Sequence, residues 1–265
     1  MTEAYSRTLG APNLPGASPQ AAGALPETVM RYWRVAPLRT IEELRLSYAL
    51  RYRVYCEERH FLSAADYPDG IEQDEYDDYS LHFGSFDGEG EIVGSARLVL
   101  RSPLGFPMFD HCAIDPVWQK KLEAIPNLVE ISRLVVSGRY RRRANDGFYG
   151  IQPLGEPAPP PPSAQPDRRA QFSVAISLFK AMYQAAKRLR MTHALSAMEL
   201  TLLRLLRRYH FPFEKIGPEV DYFGPVTPFV LDGMQVEERL AADAPDLLHE
   251  FRAGLDAEQT AALIG

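Results

Sequence analysis

The sequence predicts an α/β protein built on a central sheet. Segments of helical and strand periodicity alternate in the order helix, strand, strand, strand, helix, strand, helix, strand, which argues for that class and leaves α+β as the alternative. With 265 residues, 46% of them hydrophobic and 24% charged, the chain can bury one sizeable core. No internal repeat is visible.

Each element has a local reason. Residues 1–28 are rich in Ala, Pro and Gly and read as a disordered leader. Order is expected from YWRVAPL onward. Thr40 and Glu43 have the spacing of a capping box and open a helix whose apolar positions run through Leu46, Ala49, Leu50 and Val54. PDGIEQDEYDDYS reads as a polar loop. SLHFGSFD and GEIVGSARLVLR alternate like paired strands, with DGEG as their turn. Prolines 107, 116 and 126 make 104–127 an irregular stretch. LVEISRLVV (128–136) reads as a strand, and the segment at about 151–167 as an extended Pro-rich insertion. A long amphipathic helix is expected over 170–190, with Phe172, Phe179 and Met182 on its apolar face. HALSAME comes next as a strand, LTLLRLLRRYHF as a helix, 213–232 as a strand pair broken by Gly217 and Gly224, and 236–265 as an acidic helical tail.

Composition narrows the function. A net charge of −6 argues against a nucleic-acid partner. The two cysteines, Cys56 and Cys112, imply no disulfide framework and fit a reducing, cytoplasmic compartment. There is no basic, then apolar, leader of the secretory kind, and no run approaching the roughly 20 apolar residues of a transmembrane helix. Nucleotide-binding loops, a nucleophile elbow and zinc-ligand spacing are all missing from the sequence.

Three constellations could carry chemistry. Residues 72–78 hold five carboxylates, while Arg51, Arg97 and Arg133 each sit in an apolar or strand-like setting. A charge buried on a strand is costly unless paired. Asp74 and Asp77 could supply that pairing, or the run could be a solvated loop with the arginines pointing outward. Glu130 and Ser132 share one face of an ideal strand, with Arg133 on the other, unless a bulge changes the parity. A carboxylate on a core strand facing a cleft would have a raised pKa suited to a general base; a surface-paired edge residue is the alternative. Arg139, Arg141, Arg142 and Arg143 lie just after that strand and could bind phosphate or steer an acidic partner, or simply be solvated.

Taken together, YRVYCEERHFL, YPDGIEQDEYDDYSLHF and EISRLVVSGRYRRR resemble the acyl-homoserine-lactone (autoinducer) synthases and the N-acyl amino acid synthases, relatives of the GNAT acetyltransferases. The branch associated with PEP-CTERM/exosortase systems looks most alike, over about 40–232. The motif positions are Arg51 and Tyr55; Phe61, where the lactone synthases usually carry Trp; Glu72, Asp74, Tyr76 and Asp77; Arg97; and Glu130, Ser132 and Arg133. The resemblance implies a GNAT-like α/β fold over 29–235, with a mixed, twisted sheet splayed near its centre and helices on both faces.

It also implies N-acyl transfer to a small-molecule amine, such as an amino acid. The donor would be an acyl carrier protein thioester, through its 4′-phosphopantetheine, or acyl-CoA, with no bound cofactor and no metal. Glu130 would be the base, with Ser132 and Arg133 beside it. Leu134 and Val135 would offer backbone N–H groups to the oxyanion. Arg51, Tyr55, Phe61, Asp74, Asp77 and Arg97 would hold the acceptor, and the four arginines at 139 and 141–143 would meet the carrier. Phe172, Phe179, Met182 and Met198 would line the acyl cleft or simply pack in the core. An ordinary CoA-dependent N-acetyltransferase and a catalytically silent GNAT-like binding module are the competing readings.

Overall fold

The computed structural model describes residues 28–30, 33–138 and 173–261. The strands are β1 (Thr28–Met30), β2 (Trp33–Leu38), β3 (Ser80–Phe86), β4 (Ile92–Val99), β5 (Leu128–Val136), β6 (His193–Met198), β7 (Glu214–Lys215), β8 (Val220–Asp221) and β9 (Pro225–Asp232). The sheet order is β1-β2-β3-β4-β5-β6-β9-β7, with β8 paired to β9. Pairing is antiparallel throughout except between β5 and β6.

Helix α1 (Ile41–Tyr52) starts as its capping residues require. Thr40 accepts from the Glu43 N–H, and Glu43 reaches back to the Thr40 N–H at 3.0 Å. The helix continues as a π-helical turn over Arg53–Glu58. Its buried face matches the expected one in part: Leu50 and Val54 are buried and Ala49 half-buried. Leu46 is exposed, and Ser47, Tyr48, Leu50, Arg51, Val54 and Tyr55 are buried. The reason for the remainder is that α1 covers an ionic cluster as well as apolar strands, so hydrophobicity alone misses Ser47 and Arg51 on its inner face.

The irregular stretch 104–127 also contains two helices, α2 (Pro107–His111) and α3 (Pro116–Glu123). Each begins on a proline, whose missing N–H costs nothing in a first turn. Those prolines start helices here rather than interrupt order.

On the opposite face of β2–β5 lies α4 (Ser173–Arg188). Val174, Leu178, Phe179 and Met182 are buried against Val93, Leu98, Val129 and Ile131 in the main core. Each large apolar side chain buried there contributes about 1.5–3 kcal/mol. Helix α5 (Leu200–Arg208) adds Leu202, Leu203, Leu205 and Leu206 to the same core. The C-terminal helices α6 (Gly233–Asp243), α7 (Pro245–Arg252) and α8 (Ala257–Ala261) then close over α4. Val236, Leu240, Leu248 and Phe251 enter the main core. Buried Gln184 donates to the carbonyls of Phe251 and Ala253, and buried Lys187 to that of Thr260. Among the described residues, no helix is long and apolar enough to cross a membrane.

Two irregularities interrupt the pairing of β5. It pairs with β6 only through Leu128↔His193, Val129↔Ala194 and Glu130↔Leu195, although both strands continue. The sheet therefore splays open just beyond Glu130. On the other edge, β4 pairs Arg97↔Ser132 and Ser95↔Val135, so two residues of β5, Arg133 and Leu134, oppose Ala96 alone. Arg133 has φ of 51°, and this is a β-bulge.

Candidate active site at the splayed strands

The bulge decides which side chains meet. Before it, Val129 and Ile131 face the main core; after it, Leu134 and Val136 do. The parity of β5 has reversed. On the other face Glu130, Ser132 and Arg133 come together, since Ser132 and Arg133 both take part in the ionic cluster. The ideal-strand expectation that Arg133 points away from Glu130 and Ser132 is corrected by this one inserted residue.

The acidic run is not a solvated loop. Glu72, Asp74 and Asp77 alternate with Arg51, Arg97 and Arg133 in a closed ring of ion pairs. Glu72 binds Arg51 and, at 3.1 Å, Arg133. Asp74 binds Arg133 at 2.8 Å and Arg97 at 2.5 Å. Asp77 binds Arg97 at 2.6 Å and Arg51 at 2.7 Å. Three guanidiniums thus meet three carboxylates, and the ring is neutral. Arg97 Nε also donates to Ser132 Oγ at 2.8 Å.

Arg51, Arg97, Glu72 and Asp77 are essentially inaccessible to water. Burial opposes ionisation of Asp77, yet Arg51 and Arg97 hold its carboxyl well below the usual range. Beneath the ring, His82 Nε2 donates to the Asp77 carbonyl at 3.1 Å. Burial pushes the His82 pKa down to about 4, so this imidazole is neutral near pH 7.

Glu130 stands apart from the ring. It is 1% exposed, and its Oε2 accepts the Met108 N–H from α2 at 2.9 Å. Burial raises its pKa to about 7, against the opposing pull of that hydrogen bond and of Arg97 and Arg133. A cavity opens beside it where β5 and β6 separate, bounded by Ser132, Arg133 and Leu134 on one side and Ser196, Ala197 and Met198 on the other. Tyr55, Phe61, Tyr222 and Phe223 form its aromatic wall. Burial raises the Tyr55 pKa to about 12, so its hydroxyl stays protonated. Val135 packs in a small cluster with Leu50, Val54 and Tyr55.

A second, apolar cavity lies on the α4 side of the sheet, lined by Val129, Phe179, Met182, Phe211 and Leu231 among others. Ile131 borders both cavities. Phe179 and Met182 are therefore core residues that also line this inner space, whereas Met198 belongs to the cavity beside Glu130. Phe172, Arg139, Arg141, Arg142, Arg143, the Pro-rich insertion and the leader up to residue 27 lie outside the described residues.

Several contributors carry no motif in the sequence. Met108 acts through its backbone, which no side-chain pattern reveals. Tyr222 and Phe223 come from the β8–β9 turn, where Tyr222 stacks on His111 with ring centroids 4.0 Å apart and Phe223 lies under Arg133 at 4.6 Å. Gly224, with φ of 95°, lies so close to the Phe61 ring that an added Cβ would come within 2.9 Å of it. The aromatic pair next to glycine was the available signal.

Comparison with known proteins bears on the fold. Residues 50–148 match the family described as acetyltransferase (GNAT) domain. No curated protein matches the chain. Among solved structures, TofI in a ternary complex with an inhibitor and MTA is similar at 19% identity and a TM-score of 0.53, over 82% of this chain and 99% of that one. FeeM, an N-acyl amino acid synthase from uncultured soil microbes, is similar at 15% identity and a TM-score of 0.50, over 79% and 95%. The AHL synthase LasI is similar at 13% identity and a TM-score of 0.50, over 76% and 90%. Residues 50–148 thus match a GNAT acetyltransferase domain, and the fold over most of the chain is similar to the folds of these three proteins.

Proposed function

We propose that this protein is an N-acyltransferase that moves a fatty acyl group from an acyl carrier protein thioester to the amine of an amino acid or a related small molecule. The observation that carries this reading is the isolated, buried carboxylate of Glu130, poised near neutrality at the mouth of the splay. A base with a pKa near the working pH is suited to deprotonating an ammonium.

Glu130 takes a proton from the acceptor ammonium, directly or through water. The amine nitrogen then attacks the thioester carbonyl carbon. The carbonyl π pair moves onto oxygen, and backbone N–H groups of the bulge at Leu134 and Val135 stabilise that oxyanion; one such donor is typically worth about 3 kcal/mol of barrier. Collapse breaks the C–S bond, the thiolate leaves with the proton returned from Glu130, and the nitrogen, still carrying two hydrogens after the attack, releases its second proton to water, so that a neutral amide keeps the acyl group. Ser132 and Arg133 act here as positioning residues, since their polar atoms are engaged by the ring.

Arg51, Asp74, Asp77 and Arg97 form the rigid wall against which the acceptor sits. The acyl chain passes Ile131 towards the apolar cavity at Phe179 and Met182. Arg139, Arg141, Arg142 and Arg143 meet the phosphopantetheine phosphate or the acidic face of the carrier. The reading carries a cytoplasmic location, where carrier proteins are found, and the PEP-CTERM/exosortase-associated branch whose motifs the chain resembles.

The test is thiol release by the purified protein from long-chain acyl carrier protein and from acetyl-CoA, with mass spectrometry of products over a panel of amines. An N-acylated product made from the carrier supports the proposal. Release from acetyl-CoA alone replaces it with an ordinary acetyltransferase, and release from neither donor sinks it.

A further inference from the structure

The C-terminal helices separate two spaces. The apolar cavity has Ile131 at its end beside the splay and runs towards the start of β6, where Met191, Thr192 and His193 line it. His193 pairs with Leu128, three residues before Ile131. At the rise of an extended strand that sets the far end about 10 Å from the splay. Outside it, α6, α7 and α8 frame a groove of about 630 Å³, lined by Met234, Glu237, Arg252, Leu255, Ala257 and Thr260 among others.

Two side chains of α4 form the partition. Lys187 lines the inner cavity, yet its Nζ donates to Glu237 at 2.8 Å and to the Thr260 carbonyl at 2.9 Å, and both of those residues line the outer groove. Tyr183 also lines the inner cavity, and its hydroxyl donates to the same Glu237 oxygen. Arg252 holds the other oxygen of that carboxylate. Apolar stems face inward, and their polar ends are tied outward. Lys187 is 1% exposed, and taking one partner out of a buried ion pair is strongly destabilising. The partition is therefore a fixed wall. A hydrocarbon chain that enters past Ile131 meets the Lys187 stem and the Tyr183 ring before it can reach the groove.

We infer that Lys187 and Tyr183, held in place by Glu237, are the stop that sets the longest acyl chain this protein accepts, and that the groove behind them is space the stop withholds. The inference rests on the acyl-transfer reading for what enters the cavity. The stop itself can be measured by binding, without turnover.

The experiment uses the full chain. Lys187→Ala removes the stem and joins the two spaces, while Glu237 keeps Arg252 and Tyr183 as partners. Tyr183→Leu shortens the partition from its other side chain and serves where Lys187→Ala does not fold. Lys187→Met keeps the stem and removes the charge. Ala257→Trp, alone and combined with Lys187→Ala, fills the groove from an exposed position. Each protein is titrated calorimetrically with S-alkyl pantetheines from hexyl to hexadecyl, and assayed for thiol release from the matching acyl carrier thioesters. In Lys187→Ala and Tyr183→Leu the preferred length is expected to move to longer chains, with the longest bound at least tenfold more tightly than by the parent. Lys187→Met and Ala257→Trp should keep the parent's profile, and the double variant should lose the gain. An unchanged profile in whichever shortened variant folds overturns the inference. So does the same shift in Lys187→Met, which assigns the effect to the lost ion pair rather than to the space, and so does failure of the parent to bind any chain. The expected pattern of binding without thiol release from any donor supports the stop while rejecting the acyl-transfer reading.

Discussion

The backbone N–H of Met108 donates to Glu130 Oε2 at 2.9 Å, tying the short helix α2 to the strand that carries the candidate base. The bond fixes the carboxylate without adding a charge. It favours ionisation, but less than burial opposes it, so the pKa settles at about 7. The same helix presents Asp110 to the Tyr76 hydroxyl and His111 to the Tyr222 ring. It therefore touches the candidate base, the acidic segment and the aromatic wall.

Glu130→Gln keeps the shape and an acceptor oxygen for Met108 while removing the proposed base. A fall in kcat of about 10²–10⁴-fold is expected, with the melting temperature at pH 7 unchanged or raised. Circular dichroism melts beside the thiol-release assay check this. Activity close to the parent's would remove Glu130 from the mechanism.

The pH dependence is set by the same residue. On the proposed mechanism Glu130 acts in its ionised form, so kcat should rise with pH through a midpoint near 7. Stability runs the other way. A carboxyl raised on folding contributes stability fully below its unfolded pKa, and that contribution is lost as pH rises through the folded value. This term should therefore fall between about pH 4.5 and 7, and Glu130→Gln should abolish it. Denaturant titrations of both proteins across that window measure the difference.

Asp77 has the opposite sign. Its depressed pKa contributes stability above the ordinary aspartate value, lost as pH falls below about 4 towards the folded pKa. Asp77→Asn leaves Arg51 and Arg97 buried without a shared anion and should cost about 3–5 kcal/mol. Urea unfolding at pH 7 tests this, and a loss below about 1 kcal/mol would mean that the ring rearranges.

The apolar cavity behind Ile131 should govern acyl length. Met182→Trp fills it from α4 and should shift preference towards shorter chains, with little change for the shortest donor. Comparing kcat/KM over a series of acyl carrier thioesters reads this directly. An unchanged length profile would place the chain elsewhere.

The C-terminal helices belong to the core energetically. Phe251 is fully buried and packs on Tyr183 and Phe211. Phe251→Ala should cost about 3–5 kcal/mol, visible as a lowered melting temperature. The remaining folded fraction should keep its acyl-length profile, because Phe251 lines neither cavity beside Ile131.

Much of this was legible locally. Strands β3 to β6, helices α1, α4 and α5, and the capping box at Thr40 follow from periodicity and end chemistry, which depend on near neighbours in the chain. The spaced motif from Arg51 to Arg133 identified the ring's arginines and most of its carboxylates as partners. Composition had left that choice open, because a run of acids in isolation reads as a solvated surface.

What only the tertiary structure decided depends on positions distant in sequence. The bulge at Arg133 is invisible to an alternating pattern, yet it reverses the parity of β5 and gathers Glu130, Ser132 and Arg133 on one face. The clasp from Met108 is made by backbone, and backbone has no letter in the sequence. Tyr222 and Phe223 enter the cavity wall from a turn almost ninety residues further along the chain. The sequence by itself determined which elements form and which residue types could pair. Their burial, and with it the neutrality of the ring and the raised pKa of Glu130, came from packing, because desolvation is a property of every neighbour at once rather than of any local segment.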